Sequence, residues 1–315
     1  VTELVVDADV LANARFGTSQ LTETVAALRI LLTPDVEPWF RGWYREHLPA
    51  LRERLAQNDV EAALVENAFR PGWVADFLTM PPLAPDQELD DELAAMVALG
   101  DDRIRADLAF VRSPLLPALA VDNLAERAAE FLRWVWTATV LPTWPRRLRV
   151  LRADVVSRTS RLSELGWSGV LEGLGQHVRW LGDGRIQVND NTYPPLDVRG
   201  GDLMFIAAHR KGVGLAWRRP DRYAVSYPVT GIFADHQPLA EPLVRLLGRT
   251  RARILAEAAE PISTTALVAT TGLGLGTVAD HLRVLADAGL LENRRSGREV
   301  LYWQSETGRR VANGQ

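Results

Sequence analysis

The sequence predicts an α+β chain that is mainly α: a helical N-terminal region to about residue 175, a small antiparallel sheet over residues 177–233, and a C-terminal unit of short helices closed by a hairpin. Three observations predict this. Apolar residues recur at the helical period through most of the first 165 positions. The texture then changes to short alternating runs punctuated by Gly, Pro and Asp. From Pro261 to Trp303, two helical stretches flanking Gly272 and Gly274 lead into a hairpin with arginines at its tip. At 315 residues the length suits two domains, here 1–236 and 237–315.

Taken in order, Glu3–Val6 alternate weakly and suit a short strand or edge segment. Gln20–Leu32 is expected to be a helix with a broad apolar face (Leu21, Val25, Leu28, Leu31), closed by Pro34. Trp39–Leu55 is another, which Pro49 should kink or divide. Val60–Phe69 continues helical until Arg70-Pro71-Gly72 breaks the chain. After Pro81, Pro82 and Pro85, an acidic helix begins at Asp86, its carboxylates complementing the dipole of a first turn. Helices follow over Arg103–Val111 and Asp122–Thr139, and a long amphipathic one over Arg146–Leu165 carries six arginines. A solvated or salt-bridged face is the preferred reading of those arginines, ahead of a second nucleic-acid surface.

Strands are expected at His177–Leu181 and Arg185–Asn189 around a Gly182-Asp183-Gly184 turn, then at Leu203–Ala207, Val213–Trp217 and Tyr223–Tyr227. Ala234–Pro242 is the expected junction, and Leu243–Ala258 a helix broken at Gly248.

The C-terminal stretch carries the most information. Ser263 stands where an N-cap is needed for a helix to Thr271, and Gly272-Leu273-Gly274 makes a sharp turn. A second helix runs from about Leu275 to Ala288, stopped by Gly289. Its Val278, Leu282 and Leu285 fall at i, i+4 and i+7 for packing inward. The opposite side offers Gly276, Thr277, Asp280, His281 and Val284, with Arg283 on its flank, to a major groove. Leu290–Arg294 and Glu299–Trp303 read as hairpin strands whose tip bears Arg294, Arg295 and Arg298, cations suited to a phosphate backbone. This order of elements is that of a winged helix-turn-helix.

The same residues carry a resemblance. Gly248-Arg-Thr-Arg-Ala-Arg-Ile-Leu255, Ser263-Thr-Thr-Ala-Leu-Val268 and Thr277–Leu291, above all His281-Leu-x-x-Leu-x-x-Ala-Gly-Leu290, closely resemble the ArsR-type winged-helix repressors, over roughly Leu239–Gly308. The upstream region is similar to the long N-terminal part of a group of such regulators, through Gln20–Leu28 and Pro71–Leu78 with the following Pro-Pro pair. The resemblance implies a transcriptional regulator, a repressor rather than an activator, binding double-stranded DNA as a homodimer on an imperfect palindrome. Candidate DNA contacts are Thr265, Gly276, Thr277, Asp280, His281, Arg283, Arg294, Arg295 and Arg298. Two departures stand out: Gly274 and Ala279 occupy places where such repressors often have serine, and Asp280 puts a negative charge on the DNA face. Modest intrinsic affinity is the expectation.

Composition bounds the alternatives. The net charge of −4 is not that of a generic nucleic-acid binder, but residues 240–315 hold ten arginines against eight acidic residues, leaving −6 on the remainder. Cysteine is absent, which excludes disulfides and thiolate metal sites. His47, His177, His209, His236 and His281 form no short-range ligand pair, so neither a metal nor another cofactor is expected. Lys211 is the only lysine among 36 basic residues, as GC-rich codon usage would produce. No apolar run approaches a membrane span, and Val1–Val10, with Glu3, Asp7 and Asp9, do not form a signal peptide; a cytoplasmic location is expected.

Nine of the ten tryptophans precede residue 218. Large aromatics are ordinary core material. The functional alternative is a pocket for a small hydrophobic or aromatic effector, lined by some of Trp39, Trp43, Trp73, Phe77, Trp134 and Trp136. Such a ligand would act by shifting population towards a form that does not bind DNA. A competing reading makes the N-terminal region a dimerisation or partner platform without a ligand. An enzyme is not expected: Gly166-Trp-Ser168-Gly169 lacks nucleophile-elbow spacing, and Gly272, Gly274 and Gly276 lack the strand and Lys-Ser/Thr of a phosphate loop.

Overall fold

The computed structural model describes the chain except residues 1, 35, 37–39, 176, 192, 219–220, 230–240, 260, 297–298 and 313–315, and only the backbone at 241, 269, 296 and 299. The first elements are β1 (Thr2–Val5), α1 (Ala8–Asn13), β2 (Arg15–Gly17), α2 (Gln20–Leu32), α3 (Arg41–Gln57) and α4 (Asp59–Ala68). A two-stranded ribbon, β3 (Phe69–Arg70) and β4 (Trp73–Val74), leads to a 3-10 turn at Asp76–Thr79. Then come α5 (Leu89–Val97), α6 (Asp101–Val111), α7 (Leu124–Val135) and α8 (Trp144–Leu171).

α2 is the centre of the helical layer. Ser19 caps it, accepting from the Thr22 N–H at 2.9 Å, and Leu21, Glu23, Thr24, Val25, Ala27, Leu28 and Leu31 are all buried. A helix buried on nearly every side must be surrounded, and α3, α5 and α7 pack round it. The helical core joins them through Leu28, Phe77, Leu93, Met96, Leu108, Phe131 and Val135. Pro49 does not divide α3, which runs through it as one element. Pro49 is exposed, so water can take the carbonyl whose partner the ring removes. α7 continues as a π turn at Trp136–Val140, and α8 extends beyond the expected Leu165 but loses helical geometry at Gly166 (φ 65°, ψ −178°).

The strands differ most from expectation. β5 (Arg179–Gly182), β6 (Arg185–Asn189), β7 (Leu196–Asp197), β8 (Asp202–Ala208), β9 (Gly214–Arg218) and β10 (Arg222–Pro228) do not make one small antiparallel sheet. They form two four-stranded sheets, ordered β5-β6-β1-β7 and β2-β8-β10-β9, each completed by a strand from the chain's beginning. β1 runs antiparallel to β6 and parallel to β7; β8 runs parallel to both β2 and β10. The physical reason lies in β8, buried from Leu203 to Ala208 on both faces, as a continuous apolar run in a parallel setting should be. Alternation within a segment reports which face is covered, not which strand lies beside it.

The chain ends with α9 (Glu241–Leu247), α10 (Arg249–Glu257), β11 (Ile262–Ser263), α11 (Thr264–Thr271), α12 (Leu275–Asp287), β12 (Leu291–Ser296), β13 (Glu299–Gln304) and α13 (Glu306–Ala312). Gly248, at φ 79°, separates α9 from α10 as expected. The expected junction near residues 234–242 lies mostly outside the described residues. The second core does not stop there: one buried cluster runs from Leu4, Phe205 and Tyr227 through Leu151 of α8 to Leu255, Leu267 and Leu282.

Candidate functional site

The C-terminal elements are shaped by local chemistry. Ser263 caps α11, accepting from the Ala266 N–H at 3.2 Å, and Gly272 closes it in the left-handed conformation at φ 73°. Gly274, at φ −66° and ψ 150°, precedes α12 and offers no side chain to its first turn. Val278, Leu282 and Leu285 are buried, holding α12 on α10, α11 and β12. β12 and β13 pair antiparallel, and β11 joins the far edge of β13.

This unit meets the rest of the chain through α11, which packs on α8, and through a largely buried ion pair of Arg146 with Glu257 at 2.8 Å. Docking therefore uses the helix before α12 and leaves the outward side of α12 uncovered. Gly276, Thr277, Asp280 and Arg283 are exposed there and His281 is half-buried. Leu275 (61%) and Val284 (45%) are also exposed. Asp280 and Arg283 approach to 3.4 Å, one turn apart. Thr265 is half-buried in the first turn of α11. Arg294 and Arg295 are exposed on β12, whereas Arg298 lies outside the described residues. Because neighbours on a strand point to opposite faces, Arg294 shares a face with Leu301 and Arg295 with Val300.

Some of Trp39, Trp43, Trp73, Phe77, Trp134 and Trp136 were expected to line a pocket, and the described ones fall in different places. Trp39 lies outside the described residues. Trp43 and Trp136 are each 6% exposed and belong to the helical core, with the Trp43 indole N–H donating to the Thr139 carbonyl at 3.1 Å. Trp134 is half-buried, stacked on Phe131 with the Arg54 guanidinium 4.9 Å from its ring centre. All three pack with the residues of the helical core. Of the five described, only Phe77 borders a cleft of about 510 Å³, beside Arg103, Asp107, Phe110, Tyr193, Trp217 and Arg218. Trp73 stands behind it, with its ring centre 5.5–6.0 Å from those of Phe110, Tyr193 and Trp217.

A second group was invisible in the sequence. Glu23 of α2, Arg147 of α8 and His209, just past β8, meet in the interior. Arg147 donates to Glu23 Oε1 at 2.7 Å and the His209 backbone N–H donates to Oε2 at 3.0 Å. His209 Nδ1 is 2.7 Å from Oε1 and must carry the proton, since a carboxylate only accepts. Burial pushes the Glu23 carboxyl up, but the bonds and charge of His209 and the charge of Arg147 outweigh it and hold it at about 2. Burial pushes the His209 imidazole below its ordinary value. All three side chains are at most 1% exposed.

Among the described residues no group of His, Asp and Glu side chains is arranged to hold a metal ion, and no helix is long and apolar enough to cross a membrane. No family model, curated protein or solved structure matches the chain.

Proposed function

We propose that this chain is a cytoplasmic DNA-binding transcriptional regulator of the ArsR-like kind, a repressor that grips a palindromic operator as a homodimer and is modulated by a small hydrophobic or aromatic effector. Residues 249–312 are its winged helix-turn-helix, α12 the recognition helix and β12–β13 the wing. One observation supports this most: the polar side of α12 is left uncovered, while the helix before it makes the contact with the body of the protein.

In this reading Thr277, Asp280 and His281 address base edges, and exposed Val284, one turn beyond Asp280, meets thymine methyls. Arg294, Arg295 and Arg298 hold the phosphates. The Asp280–Arg283 pair tempers affinity, because Asp280 must turn to a cytosine amino group or keep its arginine beside the backbone. Thr265 and Gly276 complete the contact surface; beyond its own helix and neighbours, a Cβ at Gly276 would meet nothing within 4 Å.

The test is selection of bound fragments from the host genome, followed by titration of the recovered site with wild type and the triple Arg294→Ala, Arg295→Ala, Arg298→Ala variant. Recovery of a palindromic site, with weaker binding and a flatter salt dependence in the variant, supports the docking. Full affinity with an unchanged salt slope overturns it.

A further inference from the structure

The cleft beside Phe77 lies where the helical layer meets an edge strand, and α6 builds one of its walls. Ile104, Leu108 and Val111 on that helix are buried in the core. Arg103, Ala106, Asp107 and Phe110 form a second stripe at i, i+3, i+4 and i+7, and all four line the cleft. Tyr193 and Trp217, ring centres 5.4 Å apart and tilted by 30°, line it too, with Arg218 at the end of β9 and Asp76 beside Phe77. Phe110 is 60% exposed, an apolar ring left facing open space. Asp107 is buried and already engaged, 2.9 Å from Arg103 Nε and accepting the Phe77 backbone N–H. Arg218 is exposed and has no ion-pair partner among the described residues.

We propose that this cleft binds a planar aromatic molecule bearing an anionic group. The rings of Phe110, Tyr193 and Trp217 sandwich the flat part, and Arg218 takes the anion at the mouth. Aromatic walls with a few convergent polar groups between two structural layers are the usual form of a small-molecule site, and the volume suits two or three fused rings. Exposed Ala106 is the small residue that keeps the space open. As the effector site of the regulator proposed above, the cleft rests on that reading; binding itself does not, and is measured without DNA.

The experiment is calorimetric titration of the 315-residue chain with naphthalene-2-carboxylate, naphthalene-2-carboxamide and 2-naphthylmethylammonium. The carboxylate should bind saturably and about tenfold tighter than either other probe. Arg218→Gln should erase that preference while leaving carboxamide binding, and Ala106→Trp should abolish binding of all three with the circular dichroism unchanged. The proposal is overturned if no probe binds, if the ammonium binds best, or if carboxylate binding survives Ala106→Trp. Carboxylate binding without any change in operator affinity would retain the site and reject only its role as effector site.

Discussion

His209 Nδ1 lies 2.7 Å from Glu23 Oε1, joining residues 186 positions apart inside the protein. Glu23 belongs to the central helix, Arg147 to α8 and His209 to the end of a sheet, so one carboxylate ties the helical layer to both neighbours. Glu23→Gln should cost about 3–5 kcal/mol, because it leaves the Arg147 guanidinium buried without its counter-charge. Urea unfolding followed by tryptophan fluorescence measures this, and Glu23→Leu with Arg147→Met should recover much of the loss. A cost under about 1 kcal/mol would mean the junction holds nothing together.

The same group sets the acid limit. Glu23 falls from an ordinary 4.5 to about 2, so its contribution is complete above pH 4.5 and is lost as pH drops towards 2. His209 is depressed from 6.5, so the unfolded chain takes up its proton first and stability falls as pH drops below 6.5. Urea midpoints should therefore decline steeply below pH 4.5, and Glu23→Gln should flatten that limb.

Glu92 acts in the opposite sense. It accepts from Ser19 Oγ at 2.6 Å and from the Leu21 N–H at 2.8 Å, sitting at the start of α2, yet burial raises it from 4.5 to about 7. The folded state then holds its proton more tightly, and stability is lost as pH rises from 4.5 to 7. Glu92→Gln should gain on wild type across that window by up to about 3 kcal/mol. Parallel pH profiles for the two proteins would refute this.

On DNA, each wing arginine that touches a phosphate should contribute close to 0.9 to the slope of log affinity against log salt, give or take about 0.2. Arg294 and Arg295 point to opposite faces of the hairpin, so their single alanine variants should differ, with the one facing the groove losing more. Thr277→Ala and His281→Ala should instead change which sequences bind, by about 1–3 kcal/mol per base pair. Competition among operator variants separates the two behaviours.

Gly308→Ala should destabilise the C-terminal unit by about 1–3 kcal/mol. A Cβ there would come within 2.0 Å of the Leu290 carbonyl oxygen, a backbone atom with nowhere to move. Hydrogen exchange in α12 and β12 should rise in this variant while α2 stays protected; equal protection throughout would contradict the close approach.

The residues of a single element, read alone, determined much of this protein: α2 from Gln20 to Leu32, the buried stripe of Val278, Leu282 and Leu285, the Ser263 cap, the Gly248 and Gly272 breaks, and strand β6. Period, caps and turn residues act within a few positions, so a sequence displays them directly. What only the tertiary structure decided joins distant positions: β1 inserted between β6 and β7, Glu23 against Arg147 and His209, and Phe110 of α6 lining one cleft with Trp217 of β9. A tryptophan looks the same in a sequence whether it fills a core or lines a cavity, and Trp43 went to the first fate while Trp217 went to the second. The reason is physical. Burial and pairing are settled by which surfaces find each other when the chain collapses, and that information is spread over the whole sequence, not held in any one stretch of it.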